Sequence, residues 1–249
     1  MLEQTARVAA AQYGAITRKQ LLACGMSGRQ AERRAGEGRL TTIARGVYIV
    51  PGTPPTWERN AVAAHLFTTA RLHPSVLSHE TAGALYGLAN CHRSGPIVLT
   101  SKATDRHPNP LAIMVRAGDL LPEDVVVGSL GVPTTSVART VLDLALRSTR
   151  LPAIEAVIED AHRSGLVSLE ELASRFSKAH NRAGIVNVRK ALGRVIRANR
   201  IRVKEAELVA RRLEGREERK AVARQRRLEG MIIASPVHQI YASQLANAS

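Results

Sequence analysis

The chain has 249 residues, 45% of them apolar. That is enough for one or two domains with cores of their own, since domains run to roughly 100–200 residues each, and it excludes a wholly disordered chain. Only seven side chains are aromatic (two Phe, one Trp, four Tyr), so Leu, Ile, Val and Ala must fill the interior, which argues against a large all-β fold. Thirty-six Lys and Arg against 21 Asp and Glu give a net charge of +15 and a pI near 11.0. Such a balance favours a polyanionic partner, nucleic acid ahead of an anionic membrane.

Two cysteines, Cys24 and Cys91, are too few for a disulfide framework or a four-Cys zinc site, and read as reduced and buried. The first residues lack the long apolar core of a signal peptide. No stretch approaches the roughly 18 uninterrupted apolar residues of a membrane span, so the expected location is the cytoplasm. Charge is unevenly spread: 8 basic and 3 acidic side chains in residues 1–50, 15 and 12 in 51–193, and 13 and 6 in 194–249. A basic head, a nearly neutral body and a basic tail follow. The run Pro51-Gly52-Thr53-Pro54-Pro55-Thr56 breaks both helix and sheet and marks the first boundary.

In the head, Leu2 to Tyr13 reads as a helix with Leu2, Ala6, Ala9 and Tyr13 on one face and Gly14 as its stop. Thr17 caps a short helix, Arg18 to Ala23, and Cys24-Gly25-Met26 makes a tight turn. Ser27 then caps a third helix, Gly28 to about Gly36; two short helices about a Gly turn are the mark of a helix-turn-helix. At 100° per residue, Ala31 and Ala35 face inward, Arg29, Gln30 and Arg33 point away, and Arg34 lies at the edge. Such a face suits a recognition helix, because Arg bonds guanine O6 and N7 and Gln bonds adenine N6 and N7. Gly38 to Val50 forms two β-rich runs about a turn at Ala44-Arg45-Gly46, a two-stranded wing. Arg45 at its tip can reach a phosphate or a minor groove, and Lys19 and Arg39 suit backbone phosphates. The candidate DNA contacts are Lys19, Ser27, Arg29, Gln30, Arg33, Arg34, Arg39 and Arg45.

In the body, Trp57 to Ala70 is an amphipathic helix with Trp57, Val62, Ala63 and Leu66 on its apolar face. Val76-Leu77-Ser78 is a short strand, and His79 to Tyr86 a helix ended by Gly87. Ile97–Ser101, Leu111–Arg116 and Asp124–Val127 read as strands, followed by helices Val137–Ala145, Pro152–Arg163 and Ser168–Phe176. Thr135 or Ser136 caps the first of these helices, and Ser168 with Glu171 has the spacing of a capping box. The order is α+β rather than a repeating βαβ series.

Catalytic or metal chemistry is not visible. His73, His79, Cys91 and His92 match no zinc spacing, and Ser78-His79-Glu80 reads as a capping Ser followed by a polar first turn. Phosphate-binding loops, dinucleotide fingerprints and nucleophile elbows are absent from the sequence. Arg139 and Asp143, at i and i+4, can pair locally and, if buried, anchor the domain.

Several stretches resemble a known family. Ala15-Ile16-Thr17-Arg18-Lys19-Gln20-Leu21-Leu22, Gly25-Met26-Ser27, Gly38-Arg39-Leu40 and Arg45-Gly46-Val47-Tyr48 resemble the amino-terminal winged helix of the AbiEi antitoxins of bacterial type IV toxin-antitoxin systems. Two longer runs, from Leu77 to Leu88 and from Val132 to Leu144, are similar to signature stretches of its actinobacterial members. The resemblance covers roughly residues 5–190. It implies a winged helix that binds inverted repeats in its own promoter, with Arg29, Gln30, Arg33 and Arg34 as recognition positions. It also implies a second domain that counters a nucleotidyltransferase-like toxin, without requiring direct contact. After residue 193 the chain departs from relatives that continue into an endonuclease-like domain with a Glu-Val-Asp-Gly strand. Val203 to Gly230 instead reads as a polar helix, or as the remnant of that domain.

The expectation is thus an α+β protein: a winged helix-turn-helix at 1–50, an α+β body at 51–193, and a basic, helical or partly disordered tail at 194–249. Its expected role is a DNA-binding autorepressor with antitoxin character, without enzymatic activity, metal or cofactor. The alternatives are a nucleic-acid-processing relative targeted by its winged helix, or a protein-interaction module.

Overall fold

The computed structural model describes residues 2–70, 74–102, 109–180 and 182–233, with side chains as far as residue 225. The chain divides into two compact units, one up to Val195 and one from Ile196.

The first unit opens with α1 (Leu2–Ala10), whose inward side is Thr5 and Ala9 with Val8 beside them. Of the expected face only Ala9 is buried: the helix docks through Thr5 and Ala9, which leaves Leu2 and Ala6 exposed, and it ends at Ala10, so that Tyr13 (φ 55°), where with Gly14 (φ 81°) the chain turns left-handed, is exposed too. Gly14 is needed there for a second reason: a Cβ would run into the Thr53 side chain. Strand β1 (Ala15–Thr17) follows, then α2 (Arg18–Ala23) and α3 (Gly28–Gly36). Both helices start on capping boxes. Thr17 Oγ1 accepts from Gln20 N at 3.1 Å while Gln20 Oε1 accepts from Thr17 N at 2.9 Å, and Ser27 and Gln30 repeat the exchange at 3.2 and 2.8 Å.

The hairpin β2 (Thr41–Ala44) and β3 (Val47–Ile49) joins β1 in an antiparallel sheet of order β1-β3-β2. Strand β3 is buried throughout, and its two faces serve two cores. Tyr48 packs with Ile16, Leu21, Met26, Ala31 and Leu40 against α1–α3. Val47 and Ile49 join Ala15 and Ala44 in the larger core around α4 (Trp57–Thr69). The packing therefore runs without interruption across residue 50.

Helix α4 is capped by Thr56, and every residue from Ala61 to Thr68, His65 and Thr68 included, is buried, so it is covered all round rather than along one stripe. It packs on β1 and β3 of the first sheet and on β4 of the second. That second sheet is mixed, of order β6-β5-β4-β8-β7, built from β4 (Ser75–Leu77), β5 (Val98–Ser101), β6 (Ile113–Arg116), β7 (Val125–Val127) and β8 (Pro133–Thr135). Strand β8, absent from the sequence reading, runs parallel to β4 and antiparallel to β7. Helices α5 (His79–Tyr86), α6 (Val137–Leu146), α7 (Leu151–Arg163) and α8 (Leu169–Ser177) complete the body, with α6 touching the other three. Helix α9 (Ile185–Ile233) is 49 residues long and begins well before the expected Val203; Val188, Ala191, Leu192 and Val195 are buried within the first unit. Side chains from 201 to 225 are almost all exposed.

Helix α6 is held by a buried cluster of charges. Arg139, fully buried, donates to Asp143 at 2.9 Å, to Asp124 at 3.2 Å and to Asp119 at 3.3 Å. Arg175 from α8 donates to Asp124 at 2.8 Å, and Arg182 reaches Asp143 at 3.0 Å and Asp119 at 3.5 Å. Burial acts to raise the pKa of Asp119, but Arg139, Arg182 and Arg175 outweigh it and hold the carboxyl below its ordinary value.

Removing one member of a buried charge cluster strands the others, at a cost of about 3–5 kcal/mol, whereas an exposed pair contributes less than about 1 kcal/mol. Asp124→Ala is expected to lower unfolding free energy in urea by that larger amount. Glu80→Ala, which breaks the exposed Glu80–Arg147 pair, is expected to shift it by the smaller one.

Burial also pushes down the pKa of His65, against the effect of the Ser75 backbone, and of His79, against Asp143 and Glu80. The unfolded chain, titrating near the ordinary 6.5, then binds more protons than the folded one. Stability present above that pH is lost as pH falls toward the depressed folded values. The urea midpoint should drop between about pH 7 and about pH 5.5. His79→Asn, which tolerates the φ of 52° at that position, should flatten the drop.

Candidate nucleic-acid interface

The exposed arginines of α3 follow from how the helix is anchored. Ala31 is fully buried and Ala35 half-buried, so the opposite face of the helix must be solvent-facing. Arg29, Gln30 and Arg33 are exposed and Arg34 is half-buried. Lys19, Ser27, Arg39 and Arg45 are exposed as well, so all eight sequence-derived candidates lie at the surface of α2, α3 and the hairpin.

Their pairings differ. Arg33 and Arg39 share Glu37, at 3.6 and 3.4 Å. Lys19, Arg29, Arg34 and Arg45 form no ion pair among the described residues, which leaves four cations uncompensated. Gln30 differs from its expected pose: its Oε1 is turned back onto Ser27 N by the capping box, so the side chain closes the start of α3. A two-bond approach to adenine requires opening that box. Ser27 likewise spends its hydroxyl on the Gln30 amide.

Arg18, not singled out in the sequence, organises this surface. Its guanidinium pairs with Glu32 on α3 at 3.1 Å and lies where a Cβ on Gly28 would be, while its backbone N donates to Gly46 O at 2.8 Å. One residue thus ties α2 to the first turns of α3 and to the tip of the hairpin that carries Arg45. The Arg18–Glu32 separation of 14 residues carries no periodic signal.

The other sequence motifs resolve into structure. Ser78 makes no capping bond; its Oγ accepts from Thr100 Oγ1 at 2.7 Å and meets His79 Nδ1 at 3.0 Å, inside the body. Its hydroxyl is drawn inward because β4 and β5 place Thr100 beside it. Glu80 turns away to Arg147, so Ser78, His79 and Glu80 form no relay. Cys91 is half-buried rather than buried, and burial, with Glu80 and Asp160 nearby, pushes its thiol up to about 11. It is therefore protonated at neutral pH. His73 lies outside the described residues, among which no three His, Cys, Asp or Glu side chains converge as a metal site. No helix among the described residues is long and apolar enough to cross a membrane.

No curated protein matches the chain. Among solved structures it is similar to the crystal structure of the RV2827C protein from Mycobacterium tuberculosis, with 16% identity, a TM-score of 0.48, and coverage of 77% of this chain and 76% of that one. Residues 3–51, which span α1 to β3 and every candidate contact, match the family described as "Transcriptional regulator, AbiEi antitoxin", the family that the sequence resembles.

Proposed function

We propose that the chain is a DNA-binding autorepressor with antitoxin character, acting in the cytoplasm by occupying operator DNA and not by catalysis. In this reading α1–α3 and the β1–β3 sheet are a winged helix-turn-helix. Helix α3 enters the major groove and the Arg45 tip of the β2–β3 hairpin lies along the adjoining backbone or minor groove. The observation that carries it is the orientation of α3: Ala31 holds the helix from below while Arg29 and Arg33 project from it without cover. Residues 1–50 are the reading head, 51–193 the body that supports it, and 194–249 a basic tail. The family match supports regulation through DNA, here at inverted repeats in the protein's own promoter, and a toxin partner of nucleotidyltransferase-like type. Direct contact with that toxin is not required.

Affinity measured by fluorescence anisotropy on a duplex of the upstream promoter tests this. Base-reading Arg side chains contribute about 1–3 kcal/mol each, so the Arg29→Ala/Arg33→Ala double variant should bind at least tenfold more weakly. Log affinity of the unaltered protein should fall linearly with log salt, by about 0.9 per phosphate neutralised. A flat salt response, or an unchanged double variant, contradicts the proposal. Plasmid incubated with the protein and Mg²⁺ should stay supercoiled; nicking would mark a processing enzyme instead.

Gln30→Glu keeps the Ser27 capping box, since Glu serves as well as Gln at that position, but sets a negative charge against the DNA. It is expected to unfold at the same urea concentration as the parent and to bind the duplex several-fold more weakly. Unaltered duplex binding would place Gln30 away from the interface.

A further inference from the structure

A cavity of about 700 Å³ lies where the head meets the body. Its walls come from elements far apart in sequence: Lys19 on α2, His65 and Thr69 on α4, and Ser75 and Ser101, which are paired in register at one end of β4 and β5. Lys102 follows β5, and Leu120 and Val125 add apolar wall.

The volume falls within the range of small-molecule sites, about 300–1,000 Å³, which are mostly apolar with a few placed polar groups. The polar groups here have a definite sign. Lys19 and Lys102 are exposed residues, neither forms an ion pair among the described residues, and no described carboxylate lines the cavity. The hydroxyls are already engaged: Ser75 Oγ with Thr68 Oγ1, Ser101 Oγ with Pro74 O at 2.9 Å, and Thr69 Oγ1 with His65 O at 3.0 Å. His65 Nδ1 is buried in the wall with no hydrogen-bond partner among the described residues. What the cavity has to offer a ligand is therefore apolar surface between two cations that no described carboxylate pairs.

We propose that this cavity binds a small organic anion with an apolar body, and that occupancy draws Lys19 away from DNA and weakens duplex binding. The second half rests on the DNA-binding reading above; the first does not. The coupling follows from position, because Lys19 belongs both to the cavity and to the set of uncompensated head cations, and a ligand that takes it from one use changes affinity for the other reciprocally.

The probe is 8-anilinonaphthalene-1-sulfonate, used on the full chain and followed by its fluorescence. One molecule should bind per chain, and N-phenyl-1-naphthylamine, the same body without the sulfonate, should bind at least tenfold more weakly. Lys19→Met/Lys102→Met keeps the apolar stems at exposed positions and should lose at least tenfold in sulfonate affinity with an unchanged far-ultraviolet circular dichroism spectrum. Saturating sulfonate should lower promoter-duplex affinity several-fold in the parent and leave that of Lys19→Met unchanged. Equal binding of the two probes, or equal sulfonate binding by parent and double variant, overturns the anion site. Sulfonate binding with unaltered duplex affinity overturns the coupling. A parent that binds no duplex at all overturns the DNA reading, while the probe comparison still decides the cavity.

Discussion

The body is organised around a charge that cannot be left alone. Arg139 is fully buried in α6, and a guanidinium in such a place is tolerated only with carboxylates around it. Asp143 comes from the same helix, Asp124 from the turn that leads into β7, and Asp119 from the segment after β6; Arg175 of α8 and Arg182 ahead of α9 close the cluster. The requirement that every member be paired fixes α6 against the sheet edge and α8 against α6. Hydrophobic packing of the same helices would accept several rotations; the bidentate fork of an arginine accepts few.

From that anchored body, position passes to the surface through α4 and β3. Helix α4 is buried around its whole circumference because it has a sheet on more than one side, and the alternation of Val47, Tyr48 and Ile49 makes β3 the shared wall of two cores. Helix α3 sits on the smaller core through Ala31, a residue small enough for the helix to approach closely. The exposed arginines are thus aimed by packing three layers deep. The same continuity brings Lys19 of the head to a cavity whose other walls belong to the body.

Much of this was legible in the residues, and the failures have physical causes. The Ser27 and Thr17 caps, the buried Ala31 and the hairpin about Arg45-Gly46 are local signals, and they hold. The Ser27 cap that announced α3 is one half of a capping box, and its other half is the Gln30 side chain assigned to adenine, a reciprocity the cap alone did not reveal. The face of Leu2, Ala6, Ala9 and Tyr13 assumed a helix unbroken to Tyr13, but the helix ends at Ala10 and docks through Thr5 and Ala9, so only Ala9 of that face is buried. Strand β1 exists through partners 30 to 34 residues away, as in Ala15 with Ile49, and β8 through β7 six to ten residues before it and Leu77 of β4, 57 residues before Thr134; at three residues each they are too short to leave a periodicity to read. Arg139 with Asp143 was visible at i and i+4; Asp124 with Arg175, 51 residues apart, was not. The start of α9 at Ile185 escaped because its buried first turns belong to the body while the exposed remainder is polar.

The central claim concerns which guanidinium groups meet the duplex, and arginine modification by phenylglyoxal, mapped by mass spectrometry with and without promoter DNA, reads them directly. Arg29, Arg33 and Arg45 are expected to be shielded by the duplex, while the exposed Arg147 of the body and Arg211 and Arg219 of α9 react equally in both states. Shielding confined to the α9 arginines, with the α3 and hairpin positions still reactive, would contradict the account.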